Sequence, residues 1–188
     1  WDFGTAAGFY LDAAREPYSR RWKMESWLVE ELPAVLEEHF QADVDRAGVL
    51  GHSMGGHGAV TLALRHAGRF LSVSAFAPIC APSEVPWGQK AFTGYLGEDR
   101  AAWSEHDAVQ LILAGKRAPP LLVDQGLDDQ FLASQLRPDR LEQACGTAGQ
   151  PLTLRRHAGY DHGYFFIQTF VGDHLQHHAR VLCDRQVA

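Results

Sequence analysis

Gly51-His52-Ser53-Met54-Gly55 restricts the fold of this chain more than any other stretch. A serine stands between glycines where an apolar run (Ala47, Val49, Leu50) gives way to a helix-like pattern. This is the G-x-S-x-G elbow. The serine occupies a cramped strand-to-helix turn, and small flanking residues let the backbone bend and present the hydroxyl. The following helix aims unpaired N–H groups and its positive dipole end at that point, which suits an oxyanion. The plainer account of Ser53 is a helix N-cap, and the surrounding pattern decides between the two.

That pattern is an alternation of strands and helices. Residues 1–21 read as loop, with Gly4, Gly8 and Pro17. Trp27, Leu28, Leu32, Val35 and Leu36 recur at helical spacing and predict a helix over 24–40. Residues 47–51 form a short buried strand, and a helix of small residues (Gly55, Gly58, Ala59, Ala63) follows over 54–66. A strand over 70–77 ends at Pro78, and residues 80–118 hold short helical pieces among prolines and glycines. Strands at 120–125 and 152–156 enclose a helix at 138–147, and a final helix covers 164–182. Strands separated by helices imply a parallel sheet covered on both faces. The expected fold class is therefore α/β, although only about four strands can be counted, few for this architecture.

Composition sets outer limits. With 188 residues, 46% hydrophobic and 21% charged, the chain reads as one globular domain over 1–188. A chain of this size buries about 70% of its unfolded surface, enough for a real core. The formal charge of −6 argues against nucleic acid or an anionic membrane as partner. Cys80, Cys145 and Cys183 are odd in number and far apart, which suggests reduced thiols and a cytoplasmic setting. No apolar run approaches the ~18 residues of a membrane span, and no signal peptide is visible. The chain opens at Trp1 inside an aromatic, glycine-rich stretch and reads like the middle of a protein.

A serine hydroxyl is a weak nucleophile at neutral pH and needs a base held by a third group. In this architecture the order is serine, acid, histidine, with the partners on loops after later strands. Gly126-Leu127-Asp128-Asp129 follows the strand at 120–125, and Gly159-Tyr160-Asp161-His162-Gly163 follows the strand at 152–156. His162 is thus the candidate base for Ser53, and the backbone N–H of Met54 a candidate oxyanion donor. No metal or other cofactor is needed. Spacing leaves the acid open between Asp128 and Asp129, with Asp161 nearby and Asp124 more at home as a structural residue inside a strand. A histidine merely capping the last helix is the plainer account of His162. His52 and His57 flank the elbow but are poorly placed to be the base. His174, His177 and His178 lie at helical spacing and read as a solvated helix face rather than metal ligands.

Several strings coincide in one register with a known family. Asp2–Tyr10 (DFGTAAGFY), Gly51–Gly58 (GHSMGGHG), Ser74–Cys80 (SAFAPIC), Pro86-Trp87-Gly88, Asp124–Leu132 (DQGLDDQFL) and Gly159–His162 (GYDH) resemble S-formylglutathione hydrolase, also called esterase D. The resemblance covers nearly the whole chain. It implies an α/β-hydrolase fold and a cytosolic serine hydrolase that cleaves S-formylglutathione to formate and glutathione in formaldehyde detoxification. It also implies Ser53 as nucleophile, His162 as base and Asp129 as the acid. Trp87 becomes a candidate for lining the acyl or thiol pocket, with a structural aromatic as the plainer account. Glutathione carries two carboxylates, so a basic contact is expected; Lys90 is a candidate, against a plain surface lysine.

The departure from the family is at the front. Members carry a further N-terminal portion that contributes early strands and the loop with the second oxyanion donor. The resemblance therefore implies an N-terminally truncated domain with exposed sheet edges and weak or no activity by itself, since one oxyanion donor is worth about 10²–10³ in turnover. The alternatives are a broad short-chain carboxylesterase, with simple esters as substrates, or a catalytically silent fragment that acts as an interaction or homodimerising module.

Overall fold

Ser72-Val73-Ser74-Ala75-Phe76 shows how this chain builds its centre. Successive strand side chains point to opposite faces, so Val73 and Ala75 go one way while Ser72, Ser74 and Phe76 go the other. A computed structural model describes residues 2–183; Trp1, the first residue of the loop-like opening, and residues 184–188 lie outside the described residues. The sheet consists of β1 (Gly48–His52), β2 (Ser72–Phe76), β3 (Leu121–Gly126) and β4 (Leu152–His157), in the order β1-β2-β3-β4. All neighbouring pairs are parallel, with Leu50 opposite Ser74 and Ser74 opposite Leu122. Each predicted strand is present, with ends displaced by one or two residues. The strand expected over 70–77 stops at Phe76 because Ala77 turns to φ 41° ahead of Pro78.

The helical stretch predicted over 24–40 comprises α1 (Met24–Ser26), a π-helical turn at Trp27–Glu31 and α2 (Leu32–Phe40). Then come α3 (Met54–Arg65), α4 (Pro86–Tyr95), α5 (Arg100–Ser104), α6 (Ala108–Leu113), α7 (Pro138–Ala148) and α8 (Tyr164–Leu182). Val60 and Leu64 of α3, Ile112 of α6 and Leu141 of α7 bury Val73, Ala75 and Val123 on one face. Apolar area removed from water in this cluster stabilises the fold by about 25 cal/mol per Å². β2 and β3 are buried along their whole length, whereas β1 is an edge strand with Leu50 41% exposed. The aromatic front, from Phe3 to Trp22, packs with α4 around Tyr95 and Phe92.

The opposite face corrects the solvated-face expectation for α8. His174 and His178 are buried, and His177 is half-buried. The Ser72 and Ser74 hydroxyls hydrogen-bond the His178 ring at 2.6 and 2.8 Å. His174 stacks on Phe76 with ring centroids 3.8 Å apart, and its Nε2 lies 3.3 Å from Asp124 Oδ2. Polar strand residues met these histidines because a buried serine or aspartate needs a partner. Asp124 is also held by both arms of the Arg155 guanidinium at 2.6 Å. Burial raises the Asp124 carboxyl, but His174 and Arg155 outweigh it and hold it down at about 2.

Candidate active site

β1 ends at His52 and α3 begins at Met54, so Ser53 alone makes the turn. Its backbone sits at φ 57°, ψ −117°, on the side that residues other than glycine rarely adopt. The surroundings over-determine this strained conformation. The Ser53 N–H donates to the Phe76 carbonyl at 2.9 Å, and its carbonyl accepts from the N–H groups of His57 (2.9 Å) and Ile79 (3.3 Å). Glycine is required at the preceding bend, because a Cβ on Gly51 would lie 2.1 Å from the Gly55 carbonyl oxygen. Met54 opens the helix, and its N–H has no acceptor within α3.

The acid and histidine loops are tied together by backbone. The N–H groups of Leu127 and Asp128 donate to the carbonyls of His157 (2.9 Å) and Tyr160 (3.0 Å). Gly126 permits that approach: a Cβ there would lie 2.3 Å from the Tyr160 oxygen. Asp129 Oδ2 accepts from His162 Nδ1 at 2.6 Å and from Gln125 Nε2 at 3.3 Å, while Oδ1 accepts the Phe131 N–H at 2.8 Å. A carboxylate only accepts, so Nδ1 carries the proton and Nε2 presents a lone pair.

The other acids left open by spacing are turned elsewhere. Asp128 is exposed, Asp161 accepts the Gly163 N–H at 2.8 Å, and Asp124 pairs with Arg155. Aromatic rings seat the His162 imidazole. Phe131 meets it edge-on at 5.1 Å between centroids, and His52 packs against it at 4.4 Å. Burial, and then the neighbouring His162, lower His52 to about 4, so His52 stays neutral at working pH.

Ser53, Met54, Trp87 and His162 line one cavity of about 200 Å³, and Asp129 stands behind His162. Trp87, near the start of α4, packs its ring 4.8 Å from that of Phe131. Lys90, one turn on, donates from Nζ to Asp2 Oδ1 at 2.7 Å. The sequence reading missed Phe9, Ile79, Phe131 and Asp2 as wall residues. Phe131 and Asp2 fall inside the strings singled out above; Phe9 and Ile79 do too, but nothing in their spacing marks a wall. Gln125 as second partner of Asp129 was also missed, and its place at a strand end was the available signal.

The chain as a whole has known relatives. The family described as "Putative esterase" matches residues 1–177. The chain belongs to the Esterase family. This Esterase chain is 51% identical over 184 residues to the S-formylglutathione hydrolase of Arabidopsis thaliana, covering 97% of this chain and 64% of that protein. It is 48% identical to the S-formylglutathione hydrolase of Mus musculus, covering 97% of this chain and 65% of that protein. A solved S-formylglutathione hydrolase from Agrobacterium tumefaciens superposes with a TM-score of 0.91 at 53% identity, covering 94% of this chain and 64% of that one. The parallel sheet flanked by helices is thus the α/β-hydrolase fold. The chain spans just under two thirds of the length of these relatives. Among the described residues no helix is long and apolar enough to cross a membrane.

Proposed function

We propose that this Esterase chain carries a serine hydrolase site for thioesters, with S-formylglutathione as substrate and Ser53, His162 and Asp129 as the triad. The observation that carries it is the 2.6 Å bond from His162 to Asp129 in an imidazole that shares a cavity with Ser53. The relatives' names support the substrate. Ser53 Oγ bonds to the formyl carbon as its proton passes to His162 Nε2. The oxyanion that forms is met by the Met54 N–H at the start of α3. Collapse breaks the carbon–sulfur bond, and the departing sulfur takes the imidazolium proton, so glutathione leaves as thiol and His162 is neutral again. Water then gives a proton to His162 and its hydroxyl to the formyl carbon. The carbon–Oγ bond breaks, Oγ recovers its proton from His162, and formic acid departs and ionises to formate in water.

Asp129 keeps Nδ1 protonated and stabilises the imidazolium throughout. A thiolate is a better leaving group than an alkoxide because thiols are far more acidic. A small, apolar-walled cavity suits a formyl group. The free cysteines Cys80, Cys145 and Cys183 fit a reducing compartment, and we place the reaction in the cytoplasm.

A fluorophosphonate probe tests the nucleophile. It is expected to label the chain and not Ser53→Ala, and that substitution lowers turnover by about 10⁶. Equal labelling of both proteins would end this assignment. The apolar wall of Ala7, Phe9, Ile79 and Phe131 favours a second reading, a broad short-chain carboxylesterase. Comparing kcat/KM for S-formylglutathione with that for p-nitrophenyl acetate separates them, and no advantage for the thioester selects the second.

A further inference from the structure

The cavity beside Ser53 is walled by apolar side chains, and among the described residues lining it Asp2 is the one carboxylate. Lys90 Nζ donates to Asp2 Oδ1 at 2.7 Å, joining the front loop to α4 at the edge of that wall. Both side chains remain open to solvent, Lys90 at 54% and Asp2 at 27%. So exposed a pair adds little to stability. Its placement calls for another account.

Resting on the proposed thioesterase reading, we infer that the Asp2–Lys90 pair is the subsite for an α-amino-acid head group, the γ-glutamyl end of glutathione, with Lys90 taking its carboxylate and Asp2 its ammonium. Lys90 has three N–H donors and spends one on Asp2, so others are free to meet an incoming carboxylate. The pair is neutral as a unit. A lone anion gains little from it, whereas a group with both charges on one carbon closes an alternating ring of four charges. Charge-assisted bonds of this kind are the stronger ones. The hydrogen bond from Lys90 holds the Asp2 carboxyl below its ordinary range, so it remains an anion at working pH.

The geometry also fits the path of the leaving group. The formyl carbon must sit against Ser53, so the thiol half extends along the wall toward solvent. Its charged end cannot rest on Phe9, Ile79 or Phe131 without losing its hydration. The chain's formal charge of −6 disfavours an anionic ligand at long range, so a local cation has to offset it.

Calorimetric titration with S-methylglutathione, a thioether that is not hydrolysed, reads this subsite without turnover. Lys90→Met and Asp2→Asn are each expected to weaken binding about 10-fold, and Lys90→Arg to retain most of it. S-methyl-cysteinylglycine, which lacks the γ-glutamyl group, is expected to bind the full chain and all variants alike. Equal S-methylglutathione affinity for the full chain, Lys90→Met and Asp2→Asn overturns the subsite, as does no binding to the full chain. Parallel losses for the shortened ligand overturn it too. Turnover by the unsubstituted chain keeps the two readings apart: binding that depends on Lys90 in a chain that does not hydrolyse S-formylglutathione upholds the subsite and removes only the catalytic assignment.

Discussion

Asp128 and Asp129 are adjacent, yet one is exposed and the other is buried against the His162 ring. Their order along the chain carries no such information. The Asp128 N–H is committed to the Tyr160 carbonyl, which turns its side chain outward and the next one in. Spacing alone therefore left the acid open, and the family resemblance rather than the spacing pointed to Asp129. The contrast is measurable. Asp129→Asn is expected to lower kcat about 10⁴-fold with the fold intact, because the amide favours the wrong imidazole tautomer. Asp128→Asn is expected to stay within about twofold. Equal losses in steady-state assays would move the acid elsewhere. Ser53 was legible for the opposite reason: a serine between Gly51 and Gly55 announces a bend that few other residues allow.

Periodicity carried the strands and helices well, because β2, β3 and α3 are buried deeply enough for apolar spacing to follow their geometry. It misled on α8, where His174 and His178 mimic a solvated face. Ser72, Ser74 and Asp124 reward buried imidazoles, and that match is visible only once β2 and β3 lie beneath the helix. Asp124 holds β3, β4 and α8 together through Arg155 and His174. Asp124→Asn is expected to lower the free energy of unfolding by about 3 kcal/mol, the low end for breaking a buried pair. The low end applies because Arg155 is 31% exposed and keeps Asp173 at 2.6 Å. Urea denaturation with an unchanged m-value checks this, and an unshifted midpoint would show that the ion pair is dispensable.

Buried imidazoles make the molecule sensitive to acid. His52, His106 and His178 are lowered to about 4, and His57 to about 3, from an ordinary 6.5, in each case chiefly by burial. The unfolded chain takes up protons below 6.5 that the folded chain refuses, so this stability is full above pH 6.5 and drains as pH falls toward 4. Asp124 acts lower: held at about 2 against an ordinary 3.8, its contribution is lost only between those values. Urea midpoints are expected to fall steadily from pH 6.5 to 4 with several protons taken up on unfolding; a flat profile would refute it. α8 adds a mechanical side to this. Its nineteen residues start just past His162, and at 1.5 Å per residue His174 lies about 15 Å along the rod. The rod is gripped at two points, at Phe166 by the Phe76 and Tyr160 rings and at His174 by Phe76 and Asp124. Catalytic groups displaced by about 1 Å lose about 10²-fold in rate. A fault beneath the sheet at His174 is therefore expected to cost turnover at the proposed triad as well as stability, because one helix joins the two places.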